Sequence, residues 1–290
     1  MYELSLERGR AVLRASLTID VERRMNVYNF DGIYSDVSKL LDFLRPICRA
    51  TFFVTGEIAE KQPWIPQEIK NDGHEVACHG LHHERLDTYS FGEQLRRIEQ
   101  ATRFLERAIS NRPLGFRAPE NRANTNTLLA LEKLQYVYDS SVLSGTLFLR
   151  PEPHKKWRFI LAPQEPYFPS RTQLTRRGDC RVLELPCSSF ILPFTSKLTM
   201  RSTFASDSLA AILVRRARRK QTPVTYCLHS YDSHLSFGDL SWLERVVHTL
   251  RRLGVSFITM SDLALAIGRR QSFRKGEEDG KVAQHTLMAL

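Results

Sequence analysis

Short apolar runs alternate along this chain with longer segments in which apolar residues recur every three or four positions. The short runs predict strands, and the longer spacing predicts amphipathic helices. The predicted strands are Ala11–Ile19, Ala50–Thr55, His74–Cys78, Gly115–Arg117, Tyr136–Tyr138, Arg181–Leu185, Val224–Leu228 and the first part of Val255–Ile267. The predicted helices are Ser35–Leu44 with Ser35 as its cap, Phe91–Ile109, Thr125–Leu134, a segment ending in Arg215–Lys220, Ser241–Leu253 and the second part of Val255–Ile267. Repeated strand–helix units predict a parallel sheet with functional groups at the carboxyl ends of its strands.

The pattern predicts one domain over residues 1–268, because neither an internal repeat nor a linker marks a second one. Residues 143–205 are irregular and proline-rich, and we expect this insertion to shape a substrate cleft. Residues 269–290 are polar and predict a flexible tail.

Composition narrows the class of protein. The 290 residues are 42% hydrophobic and 26% charged, as in a globular protein, and no run approaches the ~20 apolar residues of a membrane helix. Glu3 and Glu7 stand where a signal peptide has basic residues, so we expect a cytoplasmic protein. The five cysteines form no C-x-x-C pair, which predicts free thiols rather than disulfides or a zinc knuckle.

The net charge of +10 is densest in Arg215–Lys220, directly after the apolar run Leu209–Val214. Such a run is typical of the solvated last turn of a helix. Attraction to an anionic sugar phosphate or peripheral contact with an anionic membrane is the alternative. We expect no binding of nucleic acid, because no recognised motif accompanies the charge.

Polar side chains with chemical potential follow the predicted strands. Asp20 and Glu22 follow the first strand, and His79 and His83 follow the third. A carboxylate with a His-x-x-x-His pair is the ligand set of a divalent metal that keeps a position open for water. Other strands end near Arg117, Asp139 and His229. This pattern points to metal-assisted hydrolysis.

Six motifs resemble, in order and spacing, the NodB-type polysaccharide deacetylases of carbohydrate esterase family 4. They are Leu17–Glu22, Ala50–Gly56, Gly73–His83, Gly115–Pro119, Tyr138–Ser141 and Leu228–His229, and the resemblance covers about residues 14–265. It implies a deformed (β/α) barrel of about seven parallel strands. Val21 stands where the commonest pattern has a second aspartate, so the chain is most similar to the branch with Asp-Val-Glu after the first strand.

The resemblance implies that His79 and His83 bind a metal, and we expect Glu22 to be the third ligand. Asp20 itself, or a water, is the alternative third ligand, with Glu22 then a surface acid. We expect zinc, although iron, cobalt and nickel suit the same donors. Spacing by one helical turn would aim both rings at one ion and leave His82 pointing elsewhere.

By the same resemblance, Asp20 is the catalytic base, and Arg117 pairs with it and lowers its pKa. His229 is the acid that protonates the leaving nitrogen, and Asp139 orients it. The metal and a backbone N–H of the Phe116–Pro119 loop or a neighbouring loop are expected to stabilise the oxyanion. The alternatives are an arginine that only precedes a proline turn and a histidine that only fills the core.

The resemblance implies hydrolysis of an N-acetyl or related N-acyl group on a sugar or polysaccharide precursor, possibly nucleotide- or lipid-linked. Alternatives are a formyl or non-sugar amide, as in an allantoinase-like enzyme or a lipid-linked sugar deformylase, and a glycan-binding relative without activity. Neither the acceptor nor the oligomeric state is predicted. Aromatic residues of the insertion are expected either to stack on sugar rings or to pack in the core: Phe148, Trp157, Phe159, Tyr167 and Phe168.

Overall fold

A parallel β-sheet forms the centre of the structure, a computed structural model that describes residues 12–23, 30, 32–144, 159–236 and 238–268. Its strands are β1 (Leu13–Val21), β2 (Thr51–Val54), β3 (Glu75–Cys78), β4 (Gly115–Phe116), β5 (Tyr138–Asp139), β8 (Leu183–Glu184), β11 (Val224–His229) and β12 (Val255–Phe257). Seven of them pair in the order β11-β1-β2-β3-β4-β5-β8, and β12 pairs with β1. Every pair is parallel. With the surrounding helices, this sheet is the deformed (β/α) barrel that the sequence predicts.

Helices surround the sheet, and two small hairpins lie between β5 and β11. The helices are α1 (Ile33–Leu44), α2 (Gly56–Lys61), α3 (Trp64–Asn71), α4 (Phe91–Ile109), α5 (Thr125–Lys133), α6 (Ser196–Thr199), α7 (Thr203–Lys220), α8 (Asp232–Leu235), α9 (Ser241–Arg252) and α10 (260–268). The hairpins pair β6 (Pro169–Ser170) with β7 (Gln173–Arg177) and β9 (Ser189–Phe190) with β10 (Leu192–Pro193). None of the helices in the described part of the chain combines the length and apolar character needed to cross a membrane.

Helix α4 shows how the apolar pattern becomes packing. Its bounds coincide with the predicted helix, and the Ser90 hydroxyl caps its start by accepting from the Glu93 N–H. The buried face includes Ile98, Ala101 and Leu105, which join the main core. Burying such side chains is the main favourable contribution to the fold.

Some boundaries differ from the prediction. Helix α1 begins at Ile33 after Gly32, whose φ of 80° ends the preceding segment, and the predicted Ser35 cap lies inside the helix. Helices α2 and α3 were not predicted, because each is too short to show two full turns of apolar spacing. Helix α7 ends at Lys220, so the basic run forms the last turns of a helix as predicted.

Of the five aromatic residues of the insertion that we expected either to stack on sugars or to pack in the core, the three described ones pack in the core. Phe159 and Tyr167 are buried, and Phe168 packs partly buried against a core cluster. Phe148 and Trp157 lie outside the described residues, as do the predicted tail 269–290 and the acidic N-terminus.

Strands β8 and β11 are the two ends of the sheet, and the chain after β8 meets β11 across the gap between them. The Ser188 N–H donates to the Thr225 carbonyl at 3.4 Å, and the Thr225 N–H donates to the Ser188 hydroxyl at 2.8 Å. We call this contact between residues 186–188 and β11 the seam. The seam completes the barrel through a side-chain hydrogen bond and isolated backbone hydrogen bonds. It takes the place of a strand ladder.

Gly115 tests the packing between β4 and β5. A Cβ at this position would lie 1.9 Å from the ring of Tyr138, whose hydroxyl donates to Glu75 at 2.9 Å. We expect Gly115→Ala to lower the free energy of unfolding by about 1–3 kcal/mol, the usual cost of overpacking. Gly92→Ala is the matched control, because nothing lies within 4 Å of its Cβ position. Equal denaturant midpoints for the two variants would contradict this account.

Candidate metal centre and catalytic groups

All seven residues predicted from the sequence lie at the carboxyl ends of the parallel strands. Asp20 is in β1 and Glu22 follows it; His79 and His83 follow β3; Arg117 follows β4; Asp139 ends β5; and His229 ends β11. Asp20 and His229 are partners in the register of β1 and β11. The strand order therefore brings these groups to one end of the barrel, where parallel α/β barrels place their active sites.

Glu22, His79 and His83 form one cluster. The Glu22 Oε2 lies 3.2 Å from the His79 Nε2 and 2.7 Å from the His83 Nε2. Among the described residues this is the group of acid and histidine side chains whose ligand atoms all fall within 4.8 Å of one another. Glu22 and His79 are buried, whereas His83 is partly open. Two imidazoles and one carboxylate on a partly open site suit a divalent metal.

The tautomer of His79 also suits a metal ligand. Its Nδ1 lies 2.8 Å from the Arg117 carbonyl, which can only accept, so Nδ1 carries the hydrogen. In the neutral ring, which is the form that binds a metal, the lone pair is then on Nε2, the atom that faces Glu22. Metal-binding histidines usually have this arrangement, with the second nitrogen fixed by a carbonyl or carboxylate.

The predicted helical turn between the two histidines is wrong. Residues 79–85 form an irregular loop, and Gly80 has a φ of +75° that breaks any helix. The carbonyls of Gly80 and Leu81 accept from the N–H groups of Gly56 and Glu57 at the start of α2, each at 2.8 Å. These bonds fold the loop so that the two rings lie 5.9 Å apart. The spacing brings the histidines together, but through a loop.

His82 points away from the cluster. Its Nδ1 lies 3.0 Å from Glu57, and its side chain is 46% exposed. This placement agrees with the prediction that His82 is structural or solvent-facing.

Electrostatics favour a charged cluster. Burial alone would raise the pKa of Glu22, but hydrogen bonds from His79 and His83 outweigh it and hold this pKa well below its usual range. Burial would lower the pKa of His83, yet its contact with Glu22 raises it. Glu22 is therefore an anionic oxygen donor at neutral pH, and a cation fits between it and the imidazoles.

Asp20 forms an ion pair with Arg117. The Arg117 Nη1 donates to the Asp20 Oδ1 at 2.7 Å and to the Thr18 hydroxyl at 3.1 Å. Its Nε and Nη2 donate to the carbonyl and hydroxyl of Ser140, both at 3.1 Å, and its guanidinium lies 4.1 Å over the Phe53 ring. Burial would lower the pKa of Arg117, but Asp20 raises it well above its usual value, so the arginine stays charged. Within the described part of the chain, the second Asp20 oxygen makes no hydrogen bond and can accept from another partner.

His229 faces the site from the strand beside Asp20, and its partner is Asp232. The His229 Nδ1 lies 3.6 Å from the Asp232 Oδ2, which also accepts the His229 backbone N–H at 2.8 Å. Tyr231 stacks on the imidazole at 4.8 Å between ring centres. Burial would lower the pKa of His229, but Asp232, Glu22 and Asp20 together raise it.

Asp139, which we expected to orient His229, contacts other groups among the described residues. It accepts from the Ser141 hydroxyl at 2.5 Å and pairs with Glu184, and the pair is fully buried. Burial raises the pKa of Asp139 to about 6 and that of Glu184 well above its usual range. Two carboxyls so placed share a proton more readily than they carry two charges.

The Asp139–Glu184 pair holds the turn that supports Arg117. Glu184 accepts the Val142 N–H at 3.0 Å, and the Ser141 hydroxyl accepts the Ala118 N–H at 2.8 Å. Since Ser140 in the same turn binds Arg117, Asp139 contributes to the position of the arginine. The Ala118 bond and that of the Arg117 N–H to the Cys78 carbonyl also occupy the donors expected to form an oxyanion hole.

Two residues of the site were missed from the sequence. Glu184 is the one acid inside an otherwise apolar predicted strand, a signal for a buried carboxyl that needs a partner. Asp232 follows His229 by three residues, the spacing that lets a carboxylate reach back to a histidine across a turn.

Comparisons with known proteins fit this geometry. Residues 19–138 match the family model described as polysaccharide deacetylase. A peptidoglycan deacetylase-like protein of Gibberella zeae is 33% identical over 107 residues, which cover 37% of this chain and 31% of that protein. A peptidoglycan-N-acetylglucosamine deacetylase of Bacillus cereus is 34% identical over 91 residues, which cover 31% of this chain and 33% of that protein. The chain thus spans about a third of the length of the curated relatives it matches.

Among solved structures, a polysaccharide deacetylase-like protein of Mycobacterium smegmatis has the same fold. Its TM-score is 0.64 at 20% sequence identity, and the alignment covers 89% of this chain and 91% of that one. The fold and the cluster define a parallel α/β barrel with a carboxylate–histidine centre at the strands' carboxyl ends. Residues 19–138 of this chain thus match the polysaccharide deacetylase family, and the fold is that of a solved deacetylase-like structure.

The partner of His229 can be tested by titration. In metal-free protein we expect Asp232→Asn to lower the pKa of His229, because the imidazolium loses the carboxylate that its ring faces. Asp139→Asn is the matched control and should leave this pKa unchanged. The measurement is the chemical shift of the His229 ring followed by NMR against pH. A larger downward shift in Asp139→Asn than in Asp232→Asn would restore the role first predicted for Asp139.

Proposed function

We propose that this protein is a metal-dependent hydrolase that removes an N-acetyl or related N-acyl group from a sugar or polysaccharide precursor. The observation that carries the proposal is the convergence of three parts at one end of the barrel. They are the Glu22–His79–His83 cluster, the Asp20–Arg117 pair and His229. A curated relative named as an N-acetylglucosamine deacetylase supports an N-acetylated saccharide as substrate.

Glu22, His79 and His83 are the residues that would hold the metal, and zinc suits two imidazoles and a carboxylate best. When bound, such an ion acts as a Lewis acid toward the amide carbonyl and lowers the pKa of a nearby water. Iron, cobalt or nickel would fit the same donors, so metal content belongs to the test.

Asp20 is the group we assign as general base. Its Oδ1 is held by Arg117, while its side chain is 15% exposed toward the site. The contact with the Arg117 Nη1 at 2.7 Å orients the carboxyl group, and a carboxylate can accept a proton from water. The pair thus supplies an oriented base beside the cluster.

His229 is the group we assign as general acid. It stands opposite Asp20 in the strand register, and its side chain is 24% exposed. Burial opposes the charged form of His229, but Asp232, Glu22 and Asp20 together raise its pKa and so favour the imidazolium. That form donates a proton to the departing amine and leaves acetate and a free amino sugar.

Histidine variants test the metal site. We expect His83→Ala to lose bound metal and acetate release, because two protein donors remain where three are needed. His82→Ala is the matched control, since His82 binds Glu57 outside the cluster. The measurements are metal content by mass spectrometry and acetate release from N-acetylglucosamine oligomers, with added zinc. Unchanged metal content in His83→Ala, or an equal loss in His82→Ala, would contradict the assignment.

The wild-type protein in the same assay separates the classes of function. Acetate release supports a deacetylase, and formate release from N-formyl sugars would move the proposal to a deformylase. Glycan binding with intact metal and no release of either acid would overturn the enzymatic proposal.

The two acids of the first strand should differ in their effects. Asp20→Asn keeps an oxygen that can accept from Arg117 but cannot take up a proton, so the rate should fall by roughly 10²–10⁴ while metal stays bound. Glu22→Gln should instead weaken metal binding. Rates and metal content are measured on the same preparations. Metal loss in Asp20→Asn with retention in Glu22→Gln would reverse the two roles.

A further inference from the structure

Two cysteines meet at the seam of the barrel. The Sγ atoms of Cys187 and Cys227 lie 3.2 Å apart, although the residues are 40 positions apart in the chain. The Cys187 N–H donates to the Val142 carbonyl at 3.0 Å, and the Cys227 N–H donates to the Phe194 carbonyl at 3.2 Å. These backbone hydrogen bonds fix the positions of both residues. The fold therefore places the two thiols next to each other.

The pair lies one layer beneath the candidate site. Cys227 precedes His229 by two residues on β11, so both side chains point to the same side of the sheet. Its register partner on β1 is Thr18, whose hydroxyl accepts from Arg117. Cys227 is partly exposed, which lets a small oxidant reach it, whereas Cys187 is buried.

The surroundings make the two sulfurs chemically different. The hydrogen-bonding contact with Cys187 lowers the pKa of Cys227 to about 6, with burial opposing this shift and the charge of Arg117 supporting it. The same contact, together with burial, raises the pKa of Cys187 well above its usual range. Asp20 acts against a thiolate at both positions. One thiolate beside one thiol is the arrangement in which the thiolate reacts first with an oxidant.

We propose that Cys187 and Cys227 form an intramolecular disulfide that covalently closes the seam of the barrel. The sulfurs need to approach by about 1.1 Å to reach the ~2.05 Å of an S–S bond. With hydrogen peroxide as oxidant, the Cys227 sulfur attacks one peroxide oxygen, the O–O bond breaks, and sulfenic acid and water form. The Cys187 sulfur then attacks the Cys227 sulfur and displaces hydroxide, which leaves as a second water with the Cys187 proton. Both sulfurs together lose two electrons, and the peroxide gains them.

Peptide mapping tests the bond without any assay of activity. The full chain is treated with hydrogen peroxide, free thiols are blocked with an alkylating reagent, and the digest is analysed by mass spectrometry. We expect a peptide pair linked through Cys187 and Cys227 that dithiothreitol separates, while Cys48, Cys78 and Cys180 remain alkylated. Burial raises the pKa of each of these three thiols to about 11, so they are internal controls. Full alkylation of all five cysteines after oxidation would overturn the proposal, as would linkage between molecules.

Single variants test the order of the two steps. Cys187→Ser should leave a sulfenic acid at Cys227 that dimedone labels, because the resolving thiol is gone. Cys227→Ser should leave Cys187 unlabelled under the same treatment. Equal labelling of the two variants, or labelling of Cys187 alone, would contradict Cys227 as the reacting thiol. Wild-type mapping decides the proposal even if one variant does not fold.

Thermal unfolding tests the role of the seam. A bond that ties the end of β8 to β11 restricts the unfolded chain over a loop of about 40 residues, so the oxidised protein should unfold at a higher temperature than the reduced one. Cys187→Ala should show no difference between oxidising and reducing buffer. A linked wild type with an unchanged or lowered unfolding temperature would mean that the bond forms but does not brace the barrel.

Discussion

The buried guanidinium of Arg117 is the interaction on which the candidate site depends. The guanidinium donates to Thr18 and Asp20 on β1 and to Ser140 after β5. The backbone carbonyl of Arg117 accepts from His79. A fully buried charge costs several kcal/mol unless partners satisfy it, and Asp20 is the carboxylate that does so. Asp20 and the turn after β5 are therefore fixed by the Arg117 side chain, and His79 is fixed by the Arg117 backbone carbonyl. Shifting any of these partners would move the others.

Asp139 and Glu184 are buried although neither belongs to the candidate metal cluster. Their polar contacts near Arg117 explain how they are accommodated there. Asp139 and Glu184 bind the turn at Ser141 and Val142, and this turn in turn binds Arg117. Their raised pKa values mean that the pair carries less than two negative charges, so it does not compete with Asp20 for the guanidinium. Asp20 keeps the direct ion pair, and Asp139 acts on the arginine through the turn. Asp139 is thus a carboxyl that the motif resemblance assigns to catalysis. Among its described partners, it contacts none of the groups assigned to catalysis.

The sequence predicted the features that depend on the periodicity of apolar residues. It did not predict the features that depend on local backbone geometry. The parallel sheet and the bounds of α4 follow from apolar spacing, and all seven site residues lie at the predicted end of the strands. The loop between His79 and His83 could not be foreseen, because it depends on Gly80 at positive φ and on two bonds to α2. The contact of His229 with Asp232 also depends on backbone geometry. Motif order pointed to Asp139, whereas the turn after β11 places the Asp232 Oδ2 3.6 Å from the His229 Nδ1.

The seam has no strand ladder among the described residues, and this affects how firmly His229 is held in the candidate site. Asp20 and His229 stand on β1 and β11, and β11 is an end of the sheet with strand pairing to β1 only among the described strands. On its other side β11 is held by the contacts of Ser188, the backbone of Phe194 and the Cys187–Cys227 pair. The position of His229 relative to Asp20 thus depends on weaker contacts than a strand ladder would provide, and a closed ladder would hold His229 more firmly.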